Sequence, residues 1–191
     1  MSNKFVIGFV FALISSTAFA GPQVSLGFGN TNYLNGATAG TESDNVSLRI
    51  SNDFNNKGTF GDIIAIQNRS SSNQSLTNQY EIGIGQRLPS YGILMPYARV
   101  AAGTFIPSTR SMTNYVGFEP GVILRKDGFP MFAKVDYMWA TSTNVDNLDV
   151  TLGRVQLGYS LTKEVSVSVR KDWLRGGYQQ DMNWLLLGYR F

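Results

Sequence analysis

The chain of 191 residues contains no cysteine and no histidine. Without cysteine it holds no disulfide, so stability must come from hydrogen bonding and packing alone. Without histidine it has no Ser-His-Asp triad and no imidazole metal site. Proline is scarce, at six residues, and charged residues make up only 15% of the chain. The charges nearly cancel, with 16 Lys and Arg against 13 Asp and Glu, a balance too even to mark a nucleic-acid-binding surface. Long apolar runs are also missing. The one continuous stretch, from Phe5 to Ile14, is too short to cross a bilayer as a helix.

That short run has the setting of a secretory signal peptide. Lys4 precedes it, and Ala18-Phe19-Ala20 follows with the small-x-small pattern of a cleavage site. Residues 1–20 therefore read as a leader and 21–191 as one exported domain. With no candidate helix to span a bilayer, a membrane location requires a closed β-barrel, the other way to satisfy every backbone group in lipid.

Glycine and aromatics are plentiful, with 20 Gly and 13% Phe, Trp and Tyr. Ser, Thr and Asn crowd the connections, as in an all-β chain with many turns. Ten stretches alternate apolar and polar residues: 22–31, 45–54, 59–69, 78–88, 94–105, 113–125, 131–140, 148–159, 165–173 and 180–191. In the first, Val24, Leu26 and Phe28 oppose Ser25, Gly27 and Gly29, as side chains on the two faces of a strand must. Two stretches depart from strict alternation. In 59–69 the apolar face takes Phe60, Ile64 and Ile66, and the polar face Gly61, Ala65, Gln67 and Arg69. Asp62-Ile63 then predicts a bulge or a membrane-edge position. In 148–159 the apolar parity changes at Gly153-Arg154, which predicts a second bulge. Pro120 predicts a local kink. Short turns at 55–58, 89–92, 126–129 and 161–164 alternate with longer polar loops at 32–44, 70–77, 106–112, 141–147 and 174–180.

Alternation alone does not say which face is inside. The polar face decides. It interleaves glycines with Arg49, Glu81, Arg87, Arg99, Glu119, Arg125, Lys134, Asp136, Arg154, Arg170 and Asp172. Glycine weakens a solvent-facing strand, whereas inside a narrow lumen it leaves room for a long neighbour. Tyr80, Trp139, Tyr159, Trp173 and Tyr189 lie near strand ends on the apolar face, as an interfacial girdle would. The polar face thus predicts a lumen charge network. Such a network either fills a narrow barrel with ion pairs or lines a narrow channel in which the excess of bases favours anions. Arg69, Arg110 and Arg175, near loop bases, are candidate contacts for lipid phosphates. The acid- and amide-rich runs 41–45 and 144–149 read as solvated loops, and no metal site is assigned.

The last strand has its own signature. Leu185, Leu187, Tyr189 and Phe191 share one face, and the sequence stops on the aromatic residue. Terminal Phe, an aromatic two residues earlier and apolar residues at the next alternate positions resemble the C-terminal assembly signal of bacterial outer-membrane β-barrel proteins. With the strand rhythm, the resemblance covers 21–191, but no motif selects a subfamily. It implies a transmembrane antiparallel up-and-down β-barrel of ten strands, with eight as the fallback, located in the outer membrane. The implied partners are outer-membrane lipid and lipopolysaccharide, together with the barrel-assembly machinery acting through Leu185, Leu187, Tyr189 and Phe191. The omptin proteases and lipid A deacylases depend on a catalytic histidine that this chain lacks, so no enzyme activity, catalytic residue or cofactor is expected. The strand rhythm is also somewhat similar to that of oligosaccharide-specific porins. In the predicted register Trp184 and Leu186 face the lumen, which argues for a packed interior there.

Overall fold

The computed structural model describes residues 21–34, 39–55, 57–70, 76–106, 112–145, 148–177 and 179–191. The expected leader 1–20 lies outside the described residues, as do Arg110, Asp146 and Asn147. Ten strands follow in chain order: β1 (Gln23–Tyr33), β2 (Glu42–Asp53), β3 (Thr59–Ser70), β4 (Leu76–Arg87), β5 (Leu94–Ile106), β6 (Thr113–Arg125), β7 (Met131–Ser142), β8 (Asp149–Ser160), β9 (Val165–Gly176) and β10 (Gln180–Arg190). Each pairs with its neighbours in sequence, and β1 pairs with β10, so the sheet is a closed up-and-down barrel. The closing seam runs from Gln23 opposite Arg190 to Tyr33 opposite Gln180. It extends to a bond from the Phe191 amide to the Pro22 carbonyl. Closure removes the unpaired edges that an open sheet would present to lipid. The ten-strand expectation is met, and the eight-strand fallback is not.

The polarity of the wall is inverted relative to a soluble barrel. Outward apolar side chains such as Ile84, Leu157 and Val169 are 52–56% exposed, whereas inward Asp62, Arg99 and Glu119 are at most 1% exposed. In water that arrangement would forfeit the hydrophobic effect on the outside and pay desolvation on the inside. In a bilayer the outer face needs no burial, and the lumen is where charge is placed.

Three expectations about the wall are corrected. β3 has the opposite facing: Phe60, Asp62, Ile64 and Asn68 are buried inside, while Gln67 and Arg69 are exposed outside. No bulge interrupts it, since the pairing from Ser43–Ser70 to Asp53–Phe60 is continuous. β8 is also unbroken, with every residue from Asp149 to Tyr159 paired to β7 in one register. Val150 and Leu152 therefore share the inward face with Arg154. At Pro120 the β6–β7 ladder misses two pairs but resumes in the same register, so the missing N–H costs hydrogen bonds without a slip.

The connections also differ from expectation. The strands run on into several predicted loops. Links at the end that carries both chain termini are 54–58, 88–93, 126–130 and 161–164, and those at the far end are 34–41, 71–75, 107–112, 143–148 and 177–179. The β9–β10 link is among the shortest, so a consistent contrast of long and short loops is absent. Ser43 and Asn45, read as part of a solvated loop, are buried inward residues of β2.

Candidate functional site: a charged belt and an apolar tier inside the barrel

Alternation points every second side chain of ten strands into one narrow bore, so the lumen is where the chain concentrates its chemistry. At its centre, Arg99 on β5 serves three carboxylates with one guanidinium. Nη2 lies 2.7 Å from Asp62 Oδ1 and 2.6 Å from Glu81 Oε1, and Nη1 lies 2.8 Å from Glu119 Oε2. Nε donates to Asp62 at 3.0 Å. The planar fork of arginine makes such multiple engagement possible, which a lysine ammonium could not reproduce. Glu119 sits directly opposite Arg99 in the β5–β6 register. Gly83 makes the room, since a Cβ there would collide with the Arg99 guanidinium.

From this hub the ion pairs continue around the wall. Arg49 on β2 pairs with the second oxygen of Asp62. Arg154 on β8 reaches both Glu119 and Asp136, and Lys134 lies 3.1 Å from Asp136. Asp136, Arg154 and Asp172 are consecutive partners across β7, β8 and β9. Arg170 contacts Asp172 at 2.8 Å. On β10, Trp184 donates its indole N–H to Asp172 at 3.0 Å and lies 5.2 Å beneath the Arg170 guanidinium. The Trp184 ring covers Gly27 and Gly29 of β1, where added methyl groups would strike it or its neighbours. Phenols complete the set: Tyr97 donates to Glu119 at 3.1 Å and Tyr115 to Glu81 at 2.7 Å.

The belt is balanced. It contains the cations Arg49, Arg99, Lys134, Arg154 and Arg170, and the anions Asp62, Glu81, Glu119, Asp136 and Asp172, five of each. Of the eleven charged residues expected in the lumen, the structure gathers nine into this belt: Arg49, Glu81, Arg99, Glu119, Lys134, Asp136, Arg154, Arg170 and Asp172. Arg87 stands apart, pairing with Asp53 at 2.5 Å near the terminal end. Arg125 is exposed at the same end and makes no ion pair among the described residues. Asp62 was missing from the expected set, because Phe60, Ile64 and Ile66 were assigned to lipid and carried Asp62 out of register. With Asp62 counted and Arg87 and Arg125 set apart at the terminal end, the belt loses the excess of base that suggests an anion-favouring lumen. Of the loop-base arginines, Arg175 pairs with Asp181 at 2.6 Å.

Beyond the belt, toward the far end, the lumen becomes apolar. Met138, Leu152, Leu174 and Met182 each lie two positions from Asp136, Arg154, Asp172 and Trp184 on the same strands. Met138, Leu152 and Met182 join Tyr115, Ala140, Trp184 and Leu186 in one buried cluster, with Ile66, Val150 and Leu174 packed against it. A cavity of about 90 Å³ remains in this tier, bounded on the belt side by Glu81, Arg154, Arg170 and Asp172. Among the described residues, no group of three or more acids is arranged to hold a metal ion.

On the outer wall, Leu185, Leu187, Tyr189 and Phe191 are all exposed. The Tyr189 and Phe191 rings meet edge to face, 4.9 Å apart.

No protein-family model matches the chain, and no curated protein matches its sequence. Solved structures do resemble it. The COG4313 outer membrane channel from Pseudomonas putida F1 superposes with a TM-score of 0.56 at 8% identity, over 92% of this chain and 97% of that one. A structure described as KdgM porin gives 0.47 at 10% identity, over 87% and 99%. The Acinetobacter baumannii outer membrane protein Omp33 gives 0.42 at 11%, over 90% and 98%. At such identities the first of these speaks for the fold alone: the chain has the porin-like fold of bacterial outer-membrane β-barrels.

Proposed function

We propose that this chain is an integral β-barrel of the bacterial outer membrane whose lumen is filled by its own side chains, and that it acts as a structural or surface-interaction protein without enzymatic activity. One observation carries the reading: Arg99, Asp62, Glu81 and Glu119 close on one another in the middle of the bore with side chains 0–3% exposed. Arg154, Asp172 and Trp184 continue that closure around β8, β9 and β10. An open pore would leave such groups wet, as ion-conducting rings require. The even charge balance further removes the basis for anion preference.

The outer face supports lipid as the surrounding medium, and Leu185, Leu187, Tyr189 and Phe191 offer an exposed apolar edge beside the closing seam for the assembly machinery. Lipopolysaccharide is the corresponding partner at the outer leaflet. Planar-bilayer recording of the refolded chain tests the filled lumen. The expected result is no steady unitary current. Stable openings, above all with anion preference, would replace this reading with that of a narrow channel.

A further inference from the structure

We infer that Lys171, on the outer wall of β9, is the centre of a docking site for the phosphorylated disaccharide headgroup of lipid A. The inference rests on the outer-membrane reading above and gives its lipopolysaccharide partner a place on the barrel. Along the outward face of β9 the order from the far end is Arg175, Trp173, Lys171 and Val169. Trp173 stands where an aromatic girdle marks the membrane interface, so Lys171 lies one step to the hydrocarbon side of it. A charge facing lipid at that depth is costly unless it reaches the interface or meets an opposite charge. The ammonium does reach back, with Nζ 5.6 Å from the centre of the Trp173 ring. Both chain termini lie at the other end, so with those termini in the periplasm this level is the outer leaflet.

The wall itself does not supply the opposite charge. Among the described residues the ion pairs of β9 are Arg170–Asp172 and Arg175–Asp181, and Lys171 has none. Its register neighbours are Asn183 on β10 and Val155 on β8, neither of them acidic. Arg175 is different, being held by Asp181 at 2.6 Å and by the Leu174 and Gln180 carbonyls at 2.8 and 3.0 Å. Asn183 and Asn30 continue the row of Lys171 across β10 and β1, where Asn183 Nδ2 donates to Asn30 Oδ1 at 3.1 Å. One row nearer the terminal end, Leu157, Val169 and Leu185 are exposed side by side on β8, β9 and β10. An unpaired cation with amides beside it, set directly above an aliphatic surface, matches the phosphate and the acyl chains of one lipid.

The aromatic side chains beside Lys171 select a sugar headgroup. Tyr137, Gly153 and Trp173 share one outward row on β7, β8 and β9. Gly153 carries no side chain between the two rings, and both stand 3.7 Å from where its Cβ would be. Trp139 lies one step farther along β7, its ring 4.7 Å from that of Tyr137. It is 52% exposed, and Tyr137 is 40% exposed. β7 and β9 are two strand spacings apart, about 10 Å. A floor of rings that wide offers negative faces to the C–H edges of a disaccharide, whereas a glycerol headgroup is too small to cover it and reach Lys171 as well.

The test is native mass spectrometry of the refolded full chain in detergent, with diphosphoryl lipid A and phosphatidylglycerol as probes. Heat-modifiable gel migration reports whether each sample is folded. Lipid A should bind about tenfold or more tightly than phosphatidylglycerol, and Lys171→Gln should weaken lipid A binding about tenfold, the loss of one charge-assisted contact. Lys163→Gln removes the same charge from a link at the terminal end and should leave binding unchanged. Trp139→Leu keeps every charge and should narrow the preference for lipid A about threefold. The proposal is overturned by equal binding of the two lipids, by undiminished lipid A binding in folded Lys171→Gln, by a loss in Lys163→Gln as large as that in Lys171→Gln, or by an undiminished preference in Trp139→Leu. Each of these results leaves the barrel reading standing, whereas an unmutated chain that migrates alike with and without heating rejects the barrel itself.

Discussion

The two tiers of the lumen are equally removed from water and yet are held together in opposite ways. The belt is made of directional contacts. A carboxylate such as Glu81 satisfies its charge only if Arg99 and Tyr115 stand at hydrogen-bond distance, and a displaced partner leaves a bare charge in a desolvated site. The apolar tier is made of contacts without direction, where Met138, Leu152 and Met182 need only touch something apolar. The belt accordingly fills its level of the bore, while the tier leaves a cavity. The lesson is that burial alone does not rank residues for stability. The cost of losing a side chain depends on what its neighbours are left holding.

Arg99→Ala should show the largest effect. It would strand Glu81 with only the Tyr115 hydroxyl and leave Asp62 and Glu119 to Arg49 and Arg154. Breaking a buried ion pair by removing one partner costs about 3–5 kcal/mol, and three acids share this cation. Urea unfolding of the refolded barrel, followed by gel migration, should register a loss of that size. An unchanged midpoint would show that the belt adds nothing to stability. Leu152→Ala, in the apolar tier, should cost less, about 2 kcal/mol. That is the low end for Leu→Ala, because the residue borders an existing cavity and loses fewer contacts. If Leu152→Ala proved worse than Arg99→Ala, the order of the tiers would be reversed.

The same contrast explains what the residues disclosed in advance. Eight of the strands have the facing that alternation suggests, including Glu81, Gly83 and Gly85 inward on β4, and Leu185, Leu187 and Tyr189 outward on β10. The two misread strands, β3 and β8, are those that send Ile66, Val150 and Leu152 into the apolar tier. Assigning apolar residues to lipid holds only where the lumen is polar. In β3 it reversed the strand and hid Asp62. In β8 it invented a bulge to explain Leu152 beside Arg154. An unbroken two-residue period through Asp62 was the signal that favoured the correct register. Trp184 and Leu186 already pointed to packing inside, but nothing in one strand could say that the apolar residues of β3, β7, β8, β9 and β10 converge. That depends on the barrel's closure. Loop length was also misjudged, since a polar residue such as Ser43 reads as loop although it is a strand residue turned inward.

The smallest expected effect sharpens the comparison within the ion pairs themselves. Arg87 and Asp53 form the same guanidinium–carboxylate contact as the belt, at 2.5 Å, but with side chains 30% and 21% exposed near the terminal end of the barrel. Arg87 also lies 5.0 Å over the Phe60 ring. Water screens both charges, and the carboxylate left by Arg87→Ala could be hydrated without leaving its place. Exposed pairs of this kind contribute about 0–1 kcal/mol, so Arg87→Ala should shift the urea midpoint only slightly, where Arg99→Ala shifts it most. The contact chemistry is common to both variants, and only the surroundings differ. Equal losses would mean that charge pairing, not desolvation, governs the lumen.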